Sequence, residues 1–515
     1  MTLSMSRRWQ ILIFLVIIAT ASFFRFYHIN STPPGLYPDE AMNGNDAQQA
    51  WETKHFQIFY PNNNGREGLY NNLTAVVFGF FGVSIFNLKI ISILSGILGV
   101  VAVYLLAKEM FSWQIAAFSA WLMAISFWAV NFSRISFRAG LAPTIMCFGV
   151  YFLWRGLKGK HFANFLLSGL IFGLGFYTYI AYRVAPAIIL LTLLAYQQFI
   201  RHDYTKEEYQ HARQHLLRGL ALVMIVGIAV ALPIGLYFLG HPGDFFGRTT
   251  QVSIFAGGGN WIKTLFINFG KTIGMFNFEG DGNWRHNFAG RPELLWPVSL
   301  MFAAGFFRSI IKLLRHRKDH GHYSVAHTLL LSWFFIGLAP VFVSNEGIPH
   351  ALRALMVMPP VFIMAGEGGW WFFSWLKQQY LARHWSRPWS NTVLGLVLVL
   401  FMLSLGVAQY QKYFVQWANQ PVVYDSFNGH YTEIANEINR LPQSVKKYVI
   451  VEADGVRVNG IPMPAQPVMF ITNTFTSAKQ QTKNVFYLLP GQPEASEAMR
   501  LARTNPDQYR LFVLN

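Results

Sequence analysis

Two adjacent carboxylates, Asp39 and Glu40, follow the segment Thr32-Pro33-Pro34-Gly35-Leu36-Tyr37-Pro38. Its prolines and glycine set a turn and hold the pair in a defined position. Carboxylates so placed suit a general base acting on a neighbouring hydroxyl. They equally suit the first turn of a helix, which is the commoner use of an isolated Asp-Glu. The same stretch continues into Asn62-Asn63-Asn64-Gly65-Arg66-Glu67-Gly68-Leu69-Tyr70. Similar polar clusters recur further on. One holds Asn131, Arg134 and Arg138; one holds Tyr177, Tyr179 and Arg183; one holds Glu279, Asp281, Asn283, Trp284, Arg285 and His286; the last holds Glu346, His350 and Arg353. Arginines bind phosphate bidentately, and acids and amides beside a Trp commonly line a site for a polyhydroxylated or phosphorylated ligand. Taken singly, each cluster also reads as a packed loop, an ion pair or a snorkelling side chain. A dedicated metal site is not an expectation of this sequence, whose single cysteine offers no thiolate pair. Carboxylates are the only oxygen ligands on offer, and a divalent cation such as Mg or Mn is the metal they would suit. No phosphate-cradling GxxxxGK[ST] is present.

These residues must be positioned by elements that sit in a membrane. Of the 515 residues 53% are hydrophobic and only 13% charged, with a mean hydropathy of +0.30. A soluble domain carries about 25% charged residues. The single cysteine, Cys147, excludes an intrachain disulfide. Apolar runs long enough to cross a bilayer number about eleven, starting near Trp9, Thr74, Trp113, Leu141, Asn164, Arg183, Leu220, Leu294, His327, Ala351 and Thr392. If they alternate, the basic clusters fall on one side: Arg7 and Arg8; Lys108; Arg155, Lys158 and Lys160; Arg201, Lys206, Arg213 and Arg218; Arg308, Lys312, Arg315, Arg317 and Lys318; Lys377, Arg383 and Arg387. By the positive-inside rule the amino terminus is cytoplasmic and the carboxyl terminus outside. The formal charge of +17 is then mostly a topology signal, and nucleic acid is not an expected partner. The first run is read as an uncleaved helix, too long for a signal peptide.

The polar clusters all fall on the outer side, against the charge rule for their arginines, and argue for an interfacial active site that binds an anionic lipid headgroup. Two outer loops are long, 29–73 and 240–293. The organisation is read as a membrane module over 1–410 and a small extracytoplasmic α/β domain over 411–515. In that tail Tyr431 to Leu441 and Glu494 to Ala502 have helical spacing, while Lys447 to Val451, Asn484 to Leu489 and Tyr509 to Leu514 read as strands. The two halves show no hydropathy repeat, which weighs against the usual secondary-transporter architectures.

The segment Arg25-Phe26 followed by Pro33-Pro34-Gly35-Leu36-Tyr37-Pro38-Asp39-Glu40-Ala41 resembles the GT-C glycosyltransferases. The kin in question are the family-39 relatives of protein O-mannosyltransferases and aminoarabinose transferases. Gly65-Arg66-Glu67-Gly68-Leu69-Tyr70, Phe132-Ser133-Arg134 with Arg138, Gly175-Phe176-Tyr177-Thr178-Tyr179 with Arg183, and Asn283-Trp284-Arg285-His286-Asn287 extend the likeness over about Arg25 to Arg353. The resemblance implies a multi-spanning α-helical GT-C membrane protein of a bacterial inner membrane. It would take a sugar from a polyprenyl monophosphate on the outer face and pass it, with inversion, to a protein, lipid or envelope-glycan hydroxyl. It also implies Asp39 as catalytic base with Glu40 beside it. Candidates for the donor phosphate are Arg138, Arg183, Arg285 and Arg353, with Arg66 and Arg134 behind them. Candidates for substrate contact are Glu67, Tyr70, Tyr179, Asp281, Asn283, Trp284, His286 and His350. The second carboxylate that some relatives carry after the third span is missing from Ala139 to Pro143, so its role is absent or passes to Glu67, Glu279 or Asp281. The competing readings are a transporter or flippase for a lipid-linked or polar solute, which should carry ionisable residues near the midplane, and a receptor or scaffold whose ligand-binding part is the tail.

Overall fold

The computed structural model describes residues 6–159, 161–201, 204–256, 259–315, 321–384 and 390–515. Of the basic residues used for topology, Lys160, Arg317, Lys318 and Arg387 lie outside these. The chain forms two compact units, Met1–Tyr27 with Ile93–Ser133 and Ala139–Val415, and His28–Ser92 with Arg134–Arg138 and Gln416–Asn515.

Helices make up the first unit. Among the described residues of the whole chain, eight helices are long and apolar enough to cross a membrane: Arg7–Phe26, Ile85–Met110, Arg138–Lys158, Ile180–Phe199, Lys206–Gly240, Trp296–Leu314, His322–Phe342 and Asn391–Trp417. A bent pair, Trp113–Ile125 and Phe127–Arg134, makes a ninth if it is one span. The count of about eleven is therefore coarser than the structure. The second run begins not near Thr74 but at Ile85, after a separate 13-residue helix, Leu69–Phe81. The run from Asn164 is a 13-residue helix, Ala163–Gly175, too short to span. The 55° bend in the third has a local cause. Ser126 is extended, and the next amide, Phe127 N, donates to Gln409 Oε1 at 3.1 Å. A side chain inserted in the ladder is one of the few ways to kink a helix.

Small residues set the helix packing. Gly305 lies against the Met364 carbonyl and Gly368 against that of Met301, so a Cβ at either would collide with backbone. This is the close approach that glycine permits between membrane helices. The same helices carry charge: Arg308 Nε donates to Glu367 Oε1 at 2.9 Å, and His327 Nδ1 lies 3.7 Å from Glu367 Oε2. Ionisable residues thus sit inside the helical unit as well as in its loops.

The second unit is built on the helix Pro38–Thr53, which opens with Pro at its first position, where the missing N–H costs nothing. It ends at Lys54 in the left-handed region, φ 58°. Phe59–Tyr60 and Arg66–Glu67 form a short antiparallel pair. Residues from Gln416 onward contribute the helices Gly429–Arg440, Gln466–Thr472 and Pro493–Thr504. They also contribute a parallel sheet with Lys446–Val451 between Val485–Leu488 and Tyr509–Leu514. One core joins Met42 to Tyr431, Ala435, Val449, Met463, Phe475, Phe512 and Leu514. A second joins Leu36, Ala41, Ala47, Ala50 and Phe78 to Phe470. Each fully buried Val, Leu, Phe or Met side chain in these cores stabilises by roughly 1.5–3 kcal/mol. The first loop and the tail are therefore held by shared apolar burial.

Candidate functional site

Asp39 is the second residue of the Pro38–Thr53 helix and is partly exposed. Its Oδ1 accepts a hydrogen bond from Asn63 Nδ2. Asn63 and Asn64, both at positive φ, lead into Gly65 and bring that side chain back over the helix start. Glu40, one residue on, is fully buried. Its Oε2 accepts Ser136 N at 2.8 Å and its Oε1 accepts Tyr37 N at 3.4 Å. Burial pushes the Glu40 carboxyl above the usual range; the Lys89 charge and the Ser136 and Tyr37 amides oppose it. Asn43, one turn along, donates Nδ2 to Ser136 O at 2.8 Å. Glu40 and Asn43 share a helix face at i, i+3, and between them they grip both backbone polar groups of Ser136.

That grip fixes the segment bearing Arg134 and Arg138. Arg134 is buried and donates Nη2 to Thr32 O at 2.7 Å. Arg138 Nε donates to Glu67 Oε2 at 2.9 Å. Arg66 donates Nη1 to Asn43 Oδ1 at 2.7 Å and forms a buried ion pair with Asp46, which also accepts from Asn62 at 2.9 Å. Buried Tyr70 donates its hydroxyl to Leu88 O at 2.8 Å. Asp39, Glu40, Arg66, Glu67, Tyr70, Arg134 and Arg138 thus share one unit. Asn43 and Asp46 are the partners that sequence reasoning missed, while Asn63 and Ser136 fell within its polar segments without a role. Glu40, Asn43 and Asp46 recur every three residues, a signal of one polar helix face that was open to reading.

The remaining candidates lie in the helical unit. Tyr179 is buried just ahead of the 3₁₀ turn Ile180–Val184. Arg183 donates to Phe245 O at 2.8 Å, with its guanidinium 4.0 Å from the Phe245 ring centroid. Arg353 pairs with Glu346 at 3.1 Å and also donates to Ser344 Oγ. Trp284 packs on Phe288, with centroids 5.2 Å apart. Asp281 is the hub of this unit. Its Oδ1 accepts Asn283 N at 2.8 Å, and its Oδ2 accepts Ala351 N at 2.8 Å and lies 2.9 Å from His286 Nδ1. Asn283 Oδ1 in turn accepts Arg285 N at 3.0 Å. Burial pushes the Asp281 carboxyl up, but the bond and charge of His286 and the charge of His350 outweigh it and hold it below the usual range. Glu293, whose Oε1 accepts Asp281 N at 3.0 Å, is pushed up to about 8, chiefly by burial. The expectation of a possible divalent cation gains a candidate set of side chains here, with imidazoles beside the carboxylate. His286 and His350, far apart in sequence, converge on Asp281, and one ligand atom from each of the three lies within 4.8 Å of the others.

A family model described as dolichyl-phosphate-mannose-protein mannosyltransferase matches residues 69–231. No curated protein matches the chain in sequence. Among solved structures, ArnT from Cupriavidus metallidurans bound to undecaprenyl phosphate superposes with a TM-score of 0.58 at 14% identity, covering 99% of this chain and 90% of that one. The oligosaccharyltransferase AglB from Archaeoglobus fulgidus, in complex with an inhibitory peptide and a dolichol-phosphate, gives 0.54 at 12% identity and covers 90% of this chain. The chain spans only 63% of that archaeal protein. The same organism's oligosaccharyltransferase in complex with Zn and sulfate gives 0.50 at 12% identity, covering 89% of this chain and 61% of that one.

Proposed function

We infer, from the GT-C fold that this chain shares with aminoarabinose and oligosaccharyl transferases and from its partial match to the protein O-mannosyltransferases, that it is a membrane glycosyltransferase using a polyprenyl-phosphate sugar donor. The observation that carries the reading is the contrast between Asp39 and Glu40. Glu40 is consumed by the backbone of Ser136, whereas Asp39 keeps a partly exposed carboxylate that Asn63 orients. The undecaprenyl and dolichol phosphates of the structural neighbours support the donor class.

In the proposed reaction a carboxylate oxygen of Asp39 takes the proton of an acceptor hydroxyl as that oxygen attacks the anomeric carbon. The bond from that carbon to the phosphate oxygen breaks, the polyprenyl phosphate leaves with the electron pair, and the sugar inverts. Arg138, oriented by Glu67 through Nε, is proposed to stabilise the leaving phosphate. Glu40 and Asn43 act as positioning residues by fixing the Arg134–Arg138 segment. The active face is proposed to be extracytoplasmic, with the amino terminus in the cytoplasm and a protein, lipid or envelope glycan as acceptor.

The test is Asp39→Asn in the full-length protein, reconstituted with polyprenyl-phosphate sugars and assayed for label transfer. Loss of about 10²-fold or more is expected, with the thermal unfolding profile unchanged. Near-wild-type transfer would sink the assignment of the base.

A further inference from the structure

Asp281 and His286 lie on the loop that follows the helix Trp261–Gly274, and His350 on the loop that precedes the 3₁₀ turn Arg353–Val357. Asp281 Oδ2 is 2.9 Å from His286 Nδ1 and 3.8 Å from His350 Nδ1. The first distance is a hydrogen bond; the second is too long for one. The same oxygen already accepts Ala351 N, so a third donor would find no lone pair. Two ring nitrogens converging on one carboxylate oxygen are better explained by a shared cation. Ligand atoms about 2.0–2.2 Å from a tetrahedral zinc stand roughly 3.3–3.5 Å from one another, and the three groups here lie within 4.8 Å.

We propose that Asp281, His286 and His350 bind a divalent transition metal, zinc foremost, which clasps the two loops together and keeps one coordination position for a ligand from outside the chain. The donor set selects the metal. Two imidazoles and one carboxylate suit zinc, while magnesium and calcium prefer all-oxygen shells. Three protein ligands with a fourth place open is the arrangement of zinc sites that bind water or substrate. The His350 side chain, 16% exposed, is the side from which such a ligand approaches; Asp281 and His286 are buried.

The surroundings hold the ligands as outer-shell groups do in metal sites. Asn283 N and Ala351 N fix the Asp281 carboxylate. Asn131 Nδ2 binds the carbonyls of Arg285 and His286 at 2.7 and 3.3 Å, and the Tyr413 hydroxyl donates to Asn131 Oδ1 at 3.3 Å. Phe132 packs on the His286 ring at 5.6 Å. The buried Glu293 carboxylate accepts Asp281 N and so holds the backbone of that ligand.

Metal content tests this without any sugar donor, so the result is separate from the fate of the transferase reading. Full-length protein purified in detergent without chelator should carry about one zinc per chain. His286→Gln, His350→Gln and Asp281→Asn should each fall to about a tenth of that or less. To separate ligand loss from misfolding, chelator-stripped wild-type protein is reloaded with Co²⁺. A four- or five-coordinate ligand-field spectrum should develop, shift when imidazole is added, and be missing from variants that retain the wild-type circular dichroism. Wild-type protein that binds no more metal than the variants, or that stays folded yet gives no cobalt spectrum, overturns the site. A spectrum unmoved by imidazole overturns the open position.

Discussion

Asp39 and Glu40 are neighbours in sequence and opposites in environment, and the difference follows from helix geometry. Successive residues on a helix point about 100° apart, so one carboxylate turns outward to Asn63 while the other turns inward to Ser136. Replacing Glu40 by Ala strands a buried amide, at a cost of about 1–3 kcal/mol. A fall in the unfolding midpoint of the full-length protein would show it. Glu40→Gln keeps an acceptor and removes the titration. The folded carboxyl lies above its ordinary 4.5 because of burial, so its contribution to stability is complete below that pH and is lost as pH rises through the folded value. The variant should flatten this slope in unfolding midpoints measured across pH; an unchanged slope would show that Glu40 is not the titrating group. Arg138→Lys keeps the charge but loses the planar fork. The expected outcome is a donor KM raised by about tenfold, with Asp39-dependent transfer still measurable.

At the scale of elements, the Pro38–Thr53 helix depends on packing that lies far away in sequence. Gly44 faces Phe470, and a Cβ there would sit 2.5 Å from ring atom Cε2. Gly44→Ala is expected to push the ring or the helix aside, lowering the unfolding midpoint and the rate of transfer together. Gly35 has φ +82° and lies where a Cβ would be 2.5 Å from Phe427 O. It requires glycine both for conformation and for room. Removal of Gln416–Asn515 would uncover Met42, Ala41 and Ala47, so aggregation of the truncated chain is expected, to be read by size-exclusion chromatography. A monodisperse truncated protein would show that the shared core is dispensable. These contacts alter the meaning of the deletion. It does not simply subtract a recognition domain, because the helix that carries Asp39 loses its cover.

At the scale of the molecule, the low charged fraction belongs to apolar helices and the positive excess to their ends. The proposed orientation can be checked by labelling, because the one native cysteine, Cys147, is buried. A membrane-impermeant maleimide applied to intact cells should modify Glu494→Cys and should modify Arg8→Cys only after lysis. The reverse pattern would invert the topology.

Hydropathy and charge are summed over local windows, which is why the membrane class, most helix positions and the strand Tyr509–Leu514 are legible in the residues alone. A compact motif, Pro33 to Ala41, was enough to suggest the GT-C relationship and to single out Asp39. Which acids are buried and which partners they take depends on the folded chain. Glu40 meets Ser136, Arg66 meets Asp46, and His286 and His350 meet at Asp281. None of these meetings has a local period to betray it, because each is made by packing between segments whose separation along the chain bears no relation to their separation in space.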